Sequence, residues 1–535
     1  MMSEAFFASL RQSCGADALA LDPATLEQAR HDVHESGGAP IAVLSPPDAA
    51  ALGQAVAVIT GQGLAVVPRG GGLSYTGGYV LPDGGAVLID LSRMSRVLNI
   101  DAESMTVTVE AGATWKAIDT ALAAQGFRLP FFGTFSGAGA TVGGGLSHGA
   151  LFFGSARYGS AADIVLSMDV VLADGRLMRT GQGSLKKARH PVFRGLGPDL
   201  TGLFLHDGGA FGIKTAATLR IIERPSCTDY ASFAFASLDD AVRAMCAIQR
   251  KGLVEDAYIM DPGATDHLDI NPAMALRSAR SVARNAGGPL RALKALFTMG
   301  RGGLGPIPKG YFSLHLVAAA RTYEAVRHDL SCCQSIAAGY GAIEVAPTIP
   351  MVARADPFPG LNGVLGPGGG RWAALNAKVA LGEASGLVAA FEAMISGMAD
   401  EMAAAGVHVT RLASALATPS FSFEAVFHWR DTWLPLHRSA PDASYRATLQ
   451  EPPHNPAGFA MVNRLRAMTV ELFRNLGAAS NQIGRTYPFI SALREEPADL
   501  LLAVKSALDP RNLMNPGVLD FPHISLSTNE QDHAR

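Results

Sequence analysis

The parts of this chain able to do chemistry are four glycine-rich segments and a few titratable side chains. Val66 to Val80 reads VVPRGGGLSYTGGYV. Here Arg69 is followed by Gly70, Gly71 and Gly72, then Leu73, Ser74 and the pair Gly77-Gly78. A loop without β-carbons lets backbone N–H groups converge on an anion such as a pyrophosphate. It is not the dinucleotide fingerprint, because no G-x-G-x-x-G opens a helix, and Asp90 falls at a strand end where its spacing reads as chance. The other glycine segments are Gly133 to Val165, Gly202 to Pro225 and the closing ALDPRNLMNPG. For proton transfer or anion binding the chain offers Arg485, Tyr487, His428 and His148. Arg485 suits a phenolate or a carboxylate, since a fixed guanidinium binds either anion, although a surface ion pair also explains it. Tyr487 lies two residues away and on an extended chain shares its side. His428 sits in the aromatic run Phe421 to Trp429, where a satisfied core histidine is the commoner occupant.

Composition narrows the partners. The chain has 535 residues, 48% of them hydrophobic, and 44 Lys plus Arg against 47 Asp plus Glu, for a formal net charge of -3. That length allows several domains with sizeable cores, and the charge balance argues against a nucleic-acid surface. A small-molecule substrate is expected. The 58 glycines exceed the usual ~7% and follow no collagen-like period. Five cysteines, with no C-x-x-C pair, suggest neither a disulfide framework nor a metal site. With no secretory signal at the N-terminus and no apolar run long enough to span a membrane, a cytoplasmic protein is expected.

The elements that must hold these segments form three blocks. Residues 1–225 alternate short apolar strands with glycine turns, opening as strand 41–44, helix to about 61, strand 64–67. From 226 to 474 strand-helix-strand units recur: 230–236, 237–252 and 254–260, then 312–320, a helix from 322 and 342–346, then 372–380, a helix at 386–405 and 407–411. Phe421 to Trp429 alternates as a further strand, 430–456 reads as loop, and a helix covers 460–474. Residues 475–535 form a closing tail. The expected class is α+β, the second block being an antiparallel sheet covered by helices.

Taken in order, PRGGG, ATVGG with RYG, DVVLADG, GAFGIKTAATL and DPRNLMNPG resemble the FAD-linked oxidases of the vanillyl-alcohol oxidase and p-cresol methylhydroxylase superfamily. The resemblance covers residues 36–225 and 475–520. It implies a two-part FAD-binding domain at 1–225, a substrate-binding cap at 226–474, and a segment 475–535 that returns to the FAD domain. By residue-wise carry-over, Arg69, Gly70, Gly71, Gly72, Leu73, Ser74 and Gly77 would wrap the pyrophosphate. Thr141, Val142, Gly143, Gly144, Gly145 and Ser147 would line the flavin, with Tyr158 packing nearby. Ile213 would meet the adenine end and Asn515 would lie near the flavin.

The chain also departs from these relatives. Leu73 stands where some of them carry the histidine bonded to flavin, and His408, His428 and His437 of the cap fall in no alignable motif, so non-covalent FAD is expected. Ser160 replaces the acidic base of phenol-oxidising members, and only Arg485 remains of their Tyr-Arg pair. The metal motif of D-lactate and D-2-hydroxyglutarate dehydrogenases is absent. The resemblance implies hydride transfer to flavin N5 from a benzylic alcohol or 4-alkylphenol, with Arg485, Tyr487 and His428 as catalytic candidates and the aromatic strand facing the substrate ring. The alternatives are a D-2-hydroxy acid dehydrogenase and a flavin-fold binding protein without catalysis. A cytochrome or another electron acceptor and a homodimer are compatible with either enzyme.

Overall fold

The computed structural model describes residues 2–265, 307–417 and 419–521, with isolated positions from 279 to 293. Most of 266–306, and 522–535 of the expected closing tail, lie outside the described residues. Three main sheets organise the chain. The first holds β1 (Leu19–Ala20), β2 (Ala42–Leu44), β3 (Val66–Arg69) and β4 (Val87–Asp90), ordered β1-β2-β4-β3, with β2 and β3 both parallel to β4. Its apolar residues are buried on both faces, as parallel strands require. The helix between β2 and β3, Ala49–Gly61, starts where the Asp48 side chain accepts the Ala51 N–H at 2.9 Å.

The second sheet is antiparallel throughout: β5 (Val97–Asp101), β6 (Thr106–Glu110), β7 (Val165–Val171), β8 (Leu177–Arg179) and β9 (Ile213–Arg220), ordered β5-β6-β9-β7-β8. The turn between β7 and β8 forms as expected at Asp174-Gly175, with Gly175 at φ +83°. All strands of these two sheets come from residues 19–220.

The third sheet has seven antiparallel strands. These are β10 (Cys227–Phe235), β11 (Asp256–Met260), β12 (Phe312–Ala320), β13 (Ile343–Val345), β14 (Arg371–Ala380), β15 (His408–Leu416) and β16 (Ser420–Trp429), ordered β13-β10-β12-β11-β15-β16-β14. Strand alternation divides it into two faces. Phe421, Phe423, Phe427 and Trp429 of β16 are at most 1% exposed and pack into the core, Phe423 lying edge-on to Phe391 of helix Ala384–Ser396 at 5.0 Å. The intervening Ser422, Glu424 and His428 face the other way, into a cavity. The aromatic residues of this strand therefore do not face a substrate, contrary to the sequence expectation. Burying four large rings against helices outweighs what one ligand contact offers.

Two expected elements differ in detail. The helix expected over 386–405 is interrupted at Gly397-Met398 into Ala384–Ser396 and Ala399–Ala404. The loop expected at 430–456 holds two short helical turns, Pro435–Ser439 and Ala443–Arg446. Strand β14 would be an open edge, but Lys378 and Ala479 exchange backbone hydrogen bonds of 2.7 and 3.0 Å, so the tail covers it. The same tail pairs with the first sheet at its far end, where the Asn515 N–H donates to the Val66 carbonyl at 2.8 Å. Among the described residues no helix is long and apolar enough to cross a membrane.

Truncating Phe423 to alanine should lower stability by about 3–5 kcal/mol through lost burial and the cavity left behind. A guanidinium denaturation midpoint unchanged from the parent protein would contradict this assignment of the two faces.

Candidate functional site

The glycine segments are glycine-rich because they pack against one another. A β-carbon on Gly71 would stand 2.0 Å from the Gly139 carbonyl oxygen, and one on Gly70 would stand 2.4 Å from Thr141 Oγ1. The first and second segments thus meet with no room for side chains. A β-carbon on Gly145 would strike the Trp115 ring at 2.6 Å, whereas Gly144 meets only Thr141 Oγ1 at 3.3 Å and borders open space. Thr141 caps the short helix Val142–His148, its hydroxyl accepting the Gly144 N–H at 3.2 Å.

These segments form one end of a cavity of about 1990 Å³. A single small-ligand pocket typically spans roughly 300–1,000 Å³, so there is room for a cofactor and a substrate together. Gly70, Gly71, Gly72, Leu73, Ser74, Thr141, Gly143, Gly144, Gly145, Ser147 and Ile213, all named as cofactor candidates from the sequence, line it. So does His428.

His148 and His408 also line it, and the other sequence candidates do not. The Arg69 guanidinium turns away to Asp90 at 2.8 Å and lies over the Tyr79 ring at 5.6 Å. Asp90, read from sequence as a chance spacing, is thus its partner. Gly77 donates its N–H to the buried Asp32 carboxylate at 2.9 Å, and Val142 is a core residue. Tyr158 bonds Glu255 at 3.2 Å, inside a buried ion cluster in which Glu255 pairs with Arg128 at 2.5 Å and with Arg354 at 3.1 Å. Ser160 caps a helical turn with Asp163.

Arg485 and Tyr487 are corrected from catalytic to structural positions. The buried Arg485 guanidinium donates to the Gly77 carbonyl at 2.5 Å, to Asn515 Oδ1 at 2.6 Å and to the Pro516 carbonyl at 2.8 Å. Asn515, 1% exposed, passes the tie onward, its amide donating to Gly78 O at 2.9 Å and Gly208 O at 2.6 Å. These two side chains staple the tail to the first and third glycine segments. Burial draws the Arg485 guanidinium down to about 10. The Tyr487 hydroxyl accepts the Asn376 N–H at 2.7 Å, and burial raises its pKa well above the usual phenol range. Hydrogen bonds to the backbone and to Asn515 occupy the two side chains that sequence reading assigned to a substrate.

At the other end of the cavity stand residues that the sequence reading missed. On three adjacent strands the register aligns Leu412, Glu424 and Asn376, with Ser414, Ser422 and Lys378 two residues to one side and His408, His428 and Trp372 four residues to the other. All except Lys378 line the cavity. The Lys378 ammonium donates to Asn376 Oδ1 at 2.8 Å and also to Asn481 Oδ1. Burial lowers Lys378 to about 7 and raises Glu424 to about 7, each acting on the other as the opposing charge. His428 Nε2 bonds Thr410 Oγ1 at 2.9 Å and the ring stacks on His408 at 4.8 Å; burial brings its pKa down to about 4, which leaves it neutral. Tyr75 packs edge-on against Trp372 at 5.2 Å. The signal was present in SFSFEAVFHW and RWAALNAKVA, where polar side chains alternate with apolar ones along strands whose other face is core.

The whole-chain fold is that of p-cresol methylhydroxylase with bound substrate, which superposes with a TM-score of 0.71 at 18% identity over 97% of this chain and 98% of that one. Residues 40–181 match the FAD binding domain, and residues 491–519 match the C-terminal domain of FAD linked oxidases. Residues 40–181 and 491–519 are thus those of FAD linked oxidases, and the fold of the chain is of the p-cresol methylhydroxylase type. FAD is its cofactor. A probable mitochondrial D-lactate dehydrogenase of Danio rerio is 34% identical over 190 residues, 36% of this chain and 37% of that protein. A glycolate oxidase subunit of Bacillus subtilis (strain 168) is 29% identical over 209 residues, 39% of this chain and 43% of that protein. The chain therefore matches less than half the length of these curated relatives.

The residues present fit FAD: glycine loops that touch where a β-carbon on Gly70 or Gly71 would clash, along a cavity of sufficient volume. Asn515→Ala should leave the Gly78 and Gly208 carbonyls unpaired at about 1–3 kcal/mol each. The purified variant is expected to melt at lower temperature and to carry less FAD per chain. Parental values of both would contradict the staple.

Proposed function

We propose that this chain is an FAD-dependent oxidoreductase that oxidises a neutral aromatic substrate, a benzylic alcohol or a 4-alkylphenol, at a CH–OH or benzylic CH group. The observation that carries this reading is the single cavity, with the glycine cradle at one end and the Tyr75–Trp372 aromatic pair beside the polar strand face at the other. FAD would lie along Gly70–Ser74 and Thr141–Gly145, held without a covalent bond because Leu73 offers no nucleophile. Bound there, it supplies a two-electron acceptor for hydride.

The protein's own contribution is binding, orientation and exclusion of water. Tyr75 and Trp372 offer an aromatic ring edge and face contacts worth about 0.5–1.5 kcal/mol beyond area burial. His428, uncharged at neutral pH and bonded to Thr410, offers a polar contact without a charge. A second reading, oxidation of a D-2-hydroxy acid, is favoured by the names of the curated relatives, all matched over part of their length. On that reading Arg485 was the carboxylate clamp, and its guanidinium is consumed by Gly77, Asn515 and Pro516.

Anaerobic mixing of the FAD-loaded protein with benzylic alcohols, 4-alkylphenols, D-lactate and glycolate separates the readings. The proposal expects aromatic substrates to bleach the flavin band near about 450 nm. Bleaching by the hydroxy acids alone would overturn it in favour of the second reading.

A further inference from the structure

One group in the cavity has no task so far. Glu424 lies at the centre of the cavity-facing side of the sheet, with Leu412 opposite on β15 and Asn376 opposite on β14. No other carboxylate lies on the cavity-facing positions of β14, β15 and β16. Its charged neighbour is Lys378, diagonal to it across the strand pair and itself held by the side-chain oxygens of Asn376 and Asn481. Tyr75 from the first glycine loop and Tyr487 from the tail also feel its charge, and both are protonated phenols raised by burial. His428, further along β16, is neutral.

We propose that Glu424 is the catalytic residue that accepts the substrate's hydroxyl proton, and that Lys378 is a positioning residue that holds it as a carboxylate. This rests on the reading that the cavity oxidises a CH–OH carbon. In the step, the substrate O–H bond breaks and its proton passes to a Glu424 carboxylate oxygen. The adjacent C–H bond breaks, its hydrogen and electron pair pass to FAD as the two-electron oxidant, and the carbon–oxygen double bond of the product forms. Asn376 and Asn481 keep the ammonium beside the strand face. Burial sets Glu424 to change protonation near neutrality, where a general base is most effective.

The test uses the FAD-loaded full chain and whichever CH–OH compound bleaches the parental flavin, so failure of the aromatic reading and failure of this proposal are distinct. The parental bleaching rate should rise with pH through a midpoint near 7 that belongs to the coupled Glu424–Lys378 pair, because only the carboxylate accepts the proton. Glu424→Gln should slow bleaching by about 10²- to 10⁴-fold and flatten that profile. Lys378→Met should move the midpoint upward by about one to three pH units, since loss of the cation favours the neutral acid, and Lys378→Arg should bring it back. Infrared titration gives a reading independent of turnover, and remains available where Glu424→Gln fails to fold. A carboxylic-acid carbonyl band that disappears near neutral pH in the parent should persist to higher pH in Lys378→Met. A Glu424→Gln enzyme within about twofold of the parental rate with its pH midpoint unchanged, or an infrared band that Lys378→Met does not move, would overturn the proposal.

Discussion

The architecture depends on backbone meeting backbone. Gly70 and Gly71 lie so close to Thr141 and Gly139 that no side chain fits between the segments, and loops packed this way have few side-chain contacts to hold them. The tail supplies what they lack. Arg485 and Asn515 satisfy the carbonyls of Gly77, Gly78, Gly208 and Pro516 from one buried point. Lys505 adds a second buried point, donating to Ala210 O at 2.7 Å and to Asp509 at 2.7 Å. Unpaired buried carbonyls are costly, so the tail must dock for the cradle to keep its shape. This explains why a segment distant in sequence belongs to the same structural unit as residues 40–181.

The seven-stranded sheet solves a different problem with one period. Odd-numbered residues of β16 are rings or small apolar groups that build the core, and Ser422, Glu424 and His428 between them face the cavity. A buried strand carries charge at least cost near an opposing one, and Lys378 and Glu424 on neighbouring strands act on each other in that way. The tail then serves the cap as well, since Ala479 closes the edge of β14 and Asn481 holds the Lys378 ammonium. One segment thus fixes both ends of the cavity. The ion cluster of Arg128, Glu255, Arg354 and Asp256 joins them from the other side, with Gly154 N–H donating to Asp256 at 2.5 Å.

Much of this was legible from residue order. The glycine segments, the alternating strands and the βαβ opening follow from local patterns, and the glycine-lined end of the cavity is legible because glycine is informative wherever a β-carbon is forbidden. The opposite end was misread for a physical reason. Arg485 and Tyr487 have the chemistry of an anion site, but sequence does not reveal which backbone carbonyls lie within their reach. The aromatic residues of β16 drew attention because they are large, yet size is what sends them to the core. Glu424 and Lys378 are 46 positions apart, and only the strand register, β16 lying between β15 and β14, sets them diagonally.

On the proposed function, the glycine cradle and the polar face of β14, β15 and β16 serve one cavity holding cofactor and substrate together. A crystal structure of the FAD-loaded protein with a benzylic alcohol bound tests it directly. The account predicts FAD along Gly70–Ser74 and Thr141–Gly145, and the ligand ring against Tyr75 and Trp372 with its hydroxyl on Glu424. A ligand bound away from that strand face, or FAD whose flavin ring lies outside the shared cavity, would contradict it.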